Sequence, residues 1–222
     1  MTTLISTAAL KAVPLFSTIP DEPLRSLATL FTRRSAPRNS VIMAEGDPTD
    51  SLYIVLSGRL KVMMSDADGK EVILNILGPG EFFGEMGLID DAPRSASVVT
   101  LEPCELLAIS KRDFKRCLAE NFEITMALMR GLVRRLRDAD RKIGSLALLD
   151  VYGRVARLLL DMAENVDGQK MVTKRLPKQD IAKMIGASRE MVSRVMKDLQ
   201  MGGYIEMRGS SIVLHDSILL PD

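Results

Sequence analysis

Six apolar residues between positions 122 and 146 constrain this chain more than anything else in it. Met129, Leu132, Leu136, Ala139, Ile143 and Leu146 recur at intervals of 3, 4, 3, 4 and 3 within the proline-free run FEITMALMRGLVRRLRDADRKIGSL. That is a heptad seam, which lets one helix lie along an identical partner. The same stripe also suits an amphipathic helix packed inside a single domain. Arg130, Arg134, Arg135, Arg137, Asp138, Asp140, Arg141 and Lys142 fill the intervening positions with charge. As a spine the helix is about 37 Å long, at about 1.5 Å per residue. What flanks it separates the two readings: strands precede it and helices follow it.

Before the spine, Asp21 is placed to cap a helix running through Phe31, with Glu22 and Pro23 in its first turn. Short apolar or alternating runs follow: Ser40 to Met43, Leu52 to Leu56, Leu60 to Met64 and Val72 to Leu77. Gly46-Asp47-Pro48, Ser57-Gly58, Asp66 to Gly69 and Gly78-Pro79-Gly80 punctuate them, as expected of an antiparallel sandwich or barrel. Two more strands are expected at Arg94 to Leu101 and Cys104 to Ile109, then a short helix opened by Ser110 or Lys111. After the spine, Asp150 begins a helix. A loop at Asn165 to Gly168 leads to a strand from Lys170 to Leu176. Pro177 to Met184 and Arg189 to Met201 form a helix pair turned at Gly186, with Ser188 as the cap of the second. Gly202-Gly203 stops that helix, and a small hairpin follows.

Composition removes several classes of function. Net charge is +1 over 222 residues, so attraction to nucleic acid must be local. No apolar run approaches a membrane span, and Met1 to Pro20 lacks a signal pattern, so a cytoplasmic location is expected. Cys104 and Cys117 stand 13 apart with no CxxC spacing and read as inert thiols. An iron–sulfur cluster needs about four thiolates. The single His215 assembles neither a metal site nor a catalytic triad. Neither an enzyme nor a metal is expected.

Two runs carry chemistry. In GEFFGEMGLIDDAPRSASVV, Gly80 to Val99, Gly84-Glu85 turns into a short helix whose leading N–H groups suit an anion. Glu85 offers a carboxylate for a sugar hydroxyl. Arg94 and Ser95 offer a guanidinium fork and a hydroxyl for a phosphate. In KQDIAKMIGASREMVSRVMKDLQ, Lys178 to Gln200, Ile181, Ala182, Ile185, Val192 and Val195 form the inward face of two crossed helices. Eight basic residues lie between Lys170 and Lys197 (Lys170, Lys174, Arg175, Lys178, Lys183, Arg189, Arg194, Lys197) against Asp180 and Glu190. This local basic face suits DNA phosphates. Arg189, Glu190 and Arg194 sit where side chains reach base edges, Arg matching guanine and Glu the cytosine amino group. Ser188 and Lys197 flank them.

Taken together and in this order, these runs resemble the cyclic-AMP receptor protein (CRP/FNR) family over nearly the whole chain, about Leu15 to Asp216. The resemblance implies an α+β fold. It comprises an N-terminal cupin-like β-roll (double-stranded β-helix) over 1–121, a long dimerisation helix and hinge over 122–149, and a C-terminal winged helix-turn-helix over 150–222. It implies that Glu85 holds a ribose 2′-OH and that Gly84, Arg94 and Ser95 hold a cyclic phosphate, with Met86 in the same site. It further implies a homodimer reading a palindrome of TGTGA-like half-sites in double-stranded DNA, with RNA polymerase as a further partner and no membrane.

One departure concerns the ligand. The family meets adenine with a Thr and a partner Ser on the spine; here those positions are Ala139 and Asp140. Asp140 accepts from the adenine amino group but finds no donor at N1, whereas guanine presents N1–H and N2–H₂ together. Arg135-x-x-Asp138 and Arg137-x-x-Asp140 also echo a spacing found in cyclic di-GMP sites. The readings are therefore cyclic AMP, or cyclic di-GMP or cyclic GMP. The intact Glu85 and Arg94 oppose a ligand-independent member.

Overall fold

The computed structural model describes residues 6–173 and 176–215. Contacts divide the chain into two compact units between Arg135 and Leu136.

The first unit begins with helix α1 (Thr7–Lys11), a 3-10 turn at Pro14–Phe16 and α2 (Asp21–Ala28). The α2 N-cap is Pro20, with no side-chain cap, so Asp21 acts in the first turn beside the helix dipole rather than as the expected cap. The helix also ends at Ala28, short of Phe31, because β1 (Thr32–Ala36) must begin there. Two antiparallel sheets follow. One has the order β1-β8-β3-β6, with β3 at Ser51–Ser57, β6 at Phe82–Phe83 and β8 at Cys104–Ser110. The other has the order β2-β7-β4-β5, with β2 at Val41–Met43, β4 at Leu60–Ser65, β5 at Glu71–Leu77 and β7 at Ser97–Thr100. Strand β7 starts three residues later than Arg94, which the loop before it claims for the site.

Alternation fails in β3, where Ser51 through Val55 are all buried. Both faces of this strand are covered. Tyr53 and Val55 join Leu106 and Ala108 of β8 in the core between the sheets. Leu52 and Ile54 join Leu107 and Ile109 in a second core under the helices. A strand buried on both sides reads as a continuous apolar run. Helix α3 is one turn, Met86–Ile89, and α4 spans Lys111–Glu120. Ser110 caps α4 by accepting from the Asp113 N–H at 3.1 Å.

Helix α5 (Phe122–Leu148) is continuous. Its first turns are anchored in the first unit by Ile124 and Leu128, which are buried in the second core. Beyond them Leu132 packs partly on the same core, while the rest of the apolar stripe is open: Met129 is 44% exposed, Leu136 63%, Ile143 65% and Leu146 50%.

In the second unit, Asp150 caps α6 (Val151–Met162) by accepting from the Gly153 N–H at 2.8 Å. A four-stranded antiparallel sheet has the order β11-β12-β10-β9, with β9 at Glu164–Val166, β10 at Gln169–Val172, β11 at Ile205–Arg208 and β12 at Ser211–Leu214. Strand β9 occupies part of the expected loop at Asn165 to Gly168, and Asp167-Gly168 alone makes the turn. Strand β10 stops at Val172, short of Leu176. Lys174 and Arg175 lie outside the described residues, as does Asp216. Helices α7 (Lys178–Ile185) and α8 (Arg189–Met201) pack on α6 through Val155, Leu159, Ile181, Val192, Val195 and Leu199.

Candidate nucleotide site and DNA-reading helix

The segment from Gly84 to Ser95 is built around two buried charges. Arg94 is 5% exposed and Glu85 3%. Burying a charge is costly unless it is paired and hydrogen-bonded, and both are. Arg94 donates from Nη1 to the Gly84 carbonyl at 2.8 Å and from Nη2 to the Ser51 carbonyl at 2.7 Å. Its Nη2 also lies 3.3 Å from Asp50 Oδ1. The Arg94 backbone is fixed from both sides, its N–H donating to Asp47 O and its carbonyl accepting from Gly46, each at 2.9 Å.

Gly84 is required twice over. Its φ is +82°, and a Cβ there would stand 2.6 Å from Arg94 Nη1 and 2.9 Å from Met43 Cε. Glu85 Oε1 accepts from Arg135 Nη1 at 2.8 Å. Arg135 also donates to the Phe82 carbonyl and places its guanidinium carbon 4.4 Å from the Phe82 ring centroid. Gly131, one turn earlier on α5, brings the same face close to Phe82: a Cβ on it would sit 3.0 Å from Cζ. In the sequence Arg135 stands among the charged positions of the spine and in an Arg-x-x-Asp spacing, with nothing to pair it with Glu85. In the fold Arg135 holds Glu85, and Asp138 pairs with Arg141.

Ser95 is exposed, its hydroxyl 3.5 Å from the sulfur of Met86, which is exposed as well. Ala139 and Asp140 are exposed on α5 within the second unit. The loop between α3 and Arg94 is tied to α4 through Asp91, which lies 2.7 Å from Lys111 Nζ and 2.9 Å from Lys115 Nζ. Hydrogen bonds from these two lysines, with their charge, hold the Asp91 carboxyl down at about 2.

The second unit holds the helix pair expected to read DNA. Gly186, at φ +63°, turns α7 into α8. Ser188 Oγ accepts from the Met191 N–H at 3.1 Å, capping α8. Ile181, Ala182, Ile185, Val192 and Val195 are buried between the helices, leaving Arg189, Glu190, Arg194 and Lys197 exposed with Lys178. Among the described residues, no ion pair occupies Arg189, Arg194, Lys197 or Lys178. Arg154 donates from Nη1 to Ile185 O at 2.9 Å, tying α6 to the end of α7.

Both thiols are buried. Burial pushes Cys117 up to about 11 and raises Cys104 as well. Among the described residues no cluster of His, Cys, Asp and Glu is grouped for a metal, and no helix is long and apolar enough to cross a membrane.

Comparison with known proteins matches both units. The model of the cyclic nucleotide-binding domain family covers residues 33–121, and that of the Crp-like helix-turn-helix domain covers residues 153–220. A CRP-like cAMP-activated global transcriptional regulator of Mycobacterium tuberculosis is 36% identical over 185 residues, 82% of this chain and 83% of that protein. The cAMP-activated global transcriptional regulator CRP of Haemophilus influenzae is 38% identical over 186 residues, 81% of this chain and 82% of its own. Among solved structures, the c-di-GMP responsive global regulator CLP of Xanthomonas campestris superposes with a TM-score of 0.75 at 32% identity. That match covers 88% of this chain and 99% of the other.

Proposed function

This chain belongs to the CRP/FNR family of cyclic-nucleotide-responsive, DNA-binding transcription regulators, not of enzymes, and on that premise we propose a homodimeric switch. A cyclic nucleotide binds at Glu85 and Arg94, and a palindromic TGTGA-like site is read through Arg189, Glu190 and Arg194. The observation that carries this reading is the pair of buried, opposite charges, Glu85 and Arg94, at the two ends of one glycine-bent segment. A ribose hydroxyl and a phosphate would use one each.

Dimerisation is supported by the heptad stripe Met129, Leu132, Leu136, Ala139, Ile143 and Leu146, exposed at every position but the half-buried Leu132, whose occupant is a second copy because the heptad is self-complementary. Two copies present two α8 helices for half-sites about 34 Å apart. The functional division is 1–121 for nucleotide, 122–149 for dimer and hinge, and 150–222 for DNA, with action in the cytoplasm and RNA polymerase as downstream partner. The nucleotide is cyclic AMP on the strength of the Glu85/Arg94 segment. A guanine nucleotide is the second reading, favoured by Asp140, whose carboxylate accepts N1–H and N2–H₂ together.

Calorimetric titration of the purified protein with cyclic AMP, cyclic GMP and cyclic di-GMP, repeated on Asp140→Ser, tests this. Cyclic AMP binding that survives Asp140→Ser supports the first reading. Binding of a guanine nucleotide alone, lost in Asp140→Ser, supports the second. Binding of none of them refutes nucleotide control.

A further inference from the structure

Arg94 is not waiting free for a phosphate. Its guanidinium side chain is 4% exposed, while the carboxylate it touches, Asp50, is 83% exposed. The two carbonyls of Gly84 and Ser51 hold Arg94 from within, and Asp50 meets it on the side that faces water. Asp50 is the one carboxylate in ion-pair range of Arg94 among the described residues. It is also set in place: Ser51 Oγ donates to Asp50 Oδ1 at 2.6 Å, and Asp50 O accepts the Lys111 N–H that opens α4 at 2.8 Å.

The Nη2 protons of Arg94 are therefore committed, one toward Ser51 O and one toward Asp50. Whichever of the five guanidinium N–H groups a phosphate meets, it shares Arg94 with a negative charge already in place.

We propose that Asp50 is an affinity-setting counter-charge: it competes with the nucleotide phosphate for Arg94, so the protein binds its ligand more weakly than Glu85 and Arg94 alone would allow. This rests on the assignment of Arg94 to the phosphate. The same carboxylate keeps the buried guanidinium compensated, so one residue both stabilises the segment and raises the ligand concentration at which the switch responds.

Asp50→Asn is the clean perturbation, because the amide keeps an acceptor for Ser51 and Arg94 and removes only the charge. Two unit charges about 4 Å apart in water alter binding by about five-fold. Titration of the full-length protein with cyclic AMP, cyclic GMP and cyclic di-GMP should show Asp50→Asn binding the accepted nucleotide about five-fold more tightly. Asp50→Glu should stay near wild type. The gain should shrink as salt is raised, since Asp50 is solvent-exposed. Equal or weaker binding by Asp50→Asn overturns the proposal, and weaker binding would make Asp50 a support for Arg94 rather than its competitor. If wild type binds none of the three nucleotides, the nucleotide assignment fails by itself. Inorganic phosphate then decides the matter: it should raise the melting temperature of Asp50→Asn more than that of wild type, and equal shifts overturn the proposal.

Discussion

Gly84 and Gly46 offer a matched pair of substitutions whose difference measures how tightly Arg94 is held. Their φ values are +82° and +84°, so alanine at either position meets the same backbone strain, about 1–2 kcal/mol. Their surroundings differ completely. Nothing lies within 4 Å of a Cβ built on Gly46, whereas one on Gly84 lies 2.6 Å from Arg94 Nη1 and 3.2 Å from Ser51 O. The guanidinium must leave at least one of its two carbonyls, and a hydrogen bond to a charged group contributes about 1.5–3 kcal/mol. Gly46→Ala should therefore cost about 1–2 kcal/mol and Gly84→Ala about 2.5–5 kcal/mol. Hydrogen exchange read by mass spectrometry over β3 and β8 reports opening of the first unit alone. The slowest amides there should exchange about ten- to a hundred-fold faster in Gly84→Ala than in Gly46→Ala. Equal acceleration in the two variants would refute the reasoning, since Arg94 would then yield its position at no cost.

Leu136→Lys places a charge at an exposed seam position and should convert a dimer to monomer in sedimentation; a dimer that persists would move the interface elsewhere. Arg189→Ala or Arg194→Ala should weaken binding to a TGTGA-containing duplex by about 1–3 kcal/mol each while leaving nucleotide affinity unchanged. Equal losses on random duplex would reduce both residues to backbone contacts. Asp91 has its folded pKa held at about 2, below the ordinary 3.8, so the unfolded chain binds more protons and the stability Asp91 contributes is lost as pH falls from about 4 to 2. Asp91→Asn should flatten that part of the acid-unfolding profile, and a profile of unchanged slope would count against the Lys111/Lys115 contact.

What the sequence disclosed follows the range of the interactions. Helix α8 is local: the Ser188 hydroxyl accepts from an N–H three positions away, and the inward face repeats at helical spacing, so both were legible. Strand β1, TRRSA, gave no apolar signal because it is exposed along most of its length. It is held by pairing with β8 and by Arg33 and Ser35 reaching Glu105, some 70 positions on. Strand β6 has two residues and no period to read. Glu85 and Arg94 were found from their local segment, but their charge partners were not. Arg135 lies 50 positions from Glu85 and Asp50 lies 44 from Arg94. A charge pair of that separation leaves no periodicity, and only the folded chain brings its members together.

The two buried cysteines settle a practical matter. With one thiol raised to about 11 and the other also shifted upward, neither supplies much thiolate at neutral pH, and neither is open to reagents. A single cysteine introduced at an exposed α5 position such as Arg137 is thus the one thiol that labels readily. Spin or fluorescent probes on that helix can then report its movement in a molecule that keeps both native cysteines and their packing.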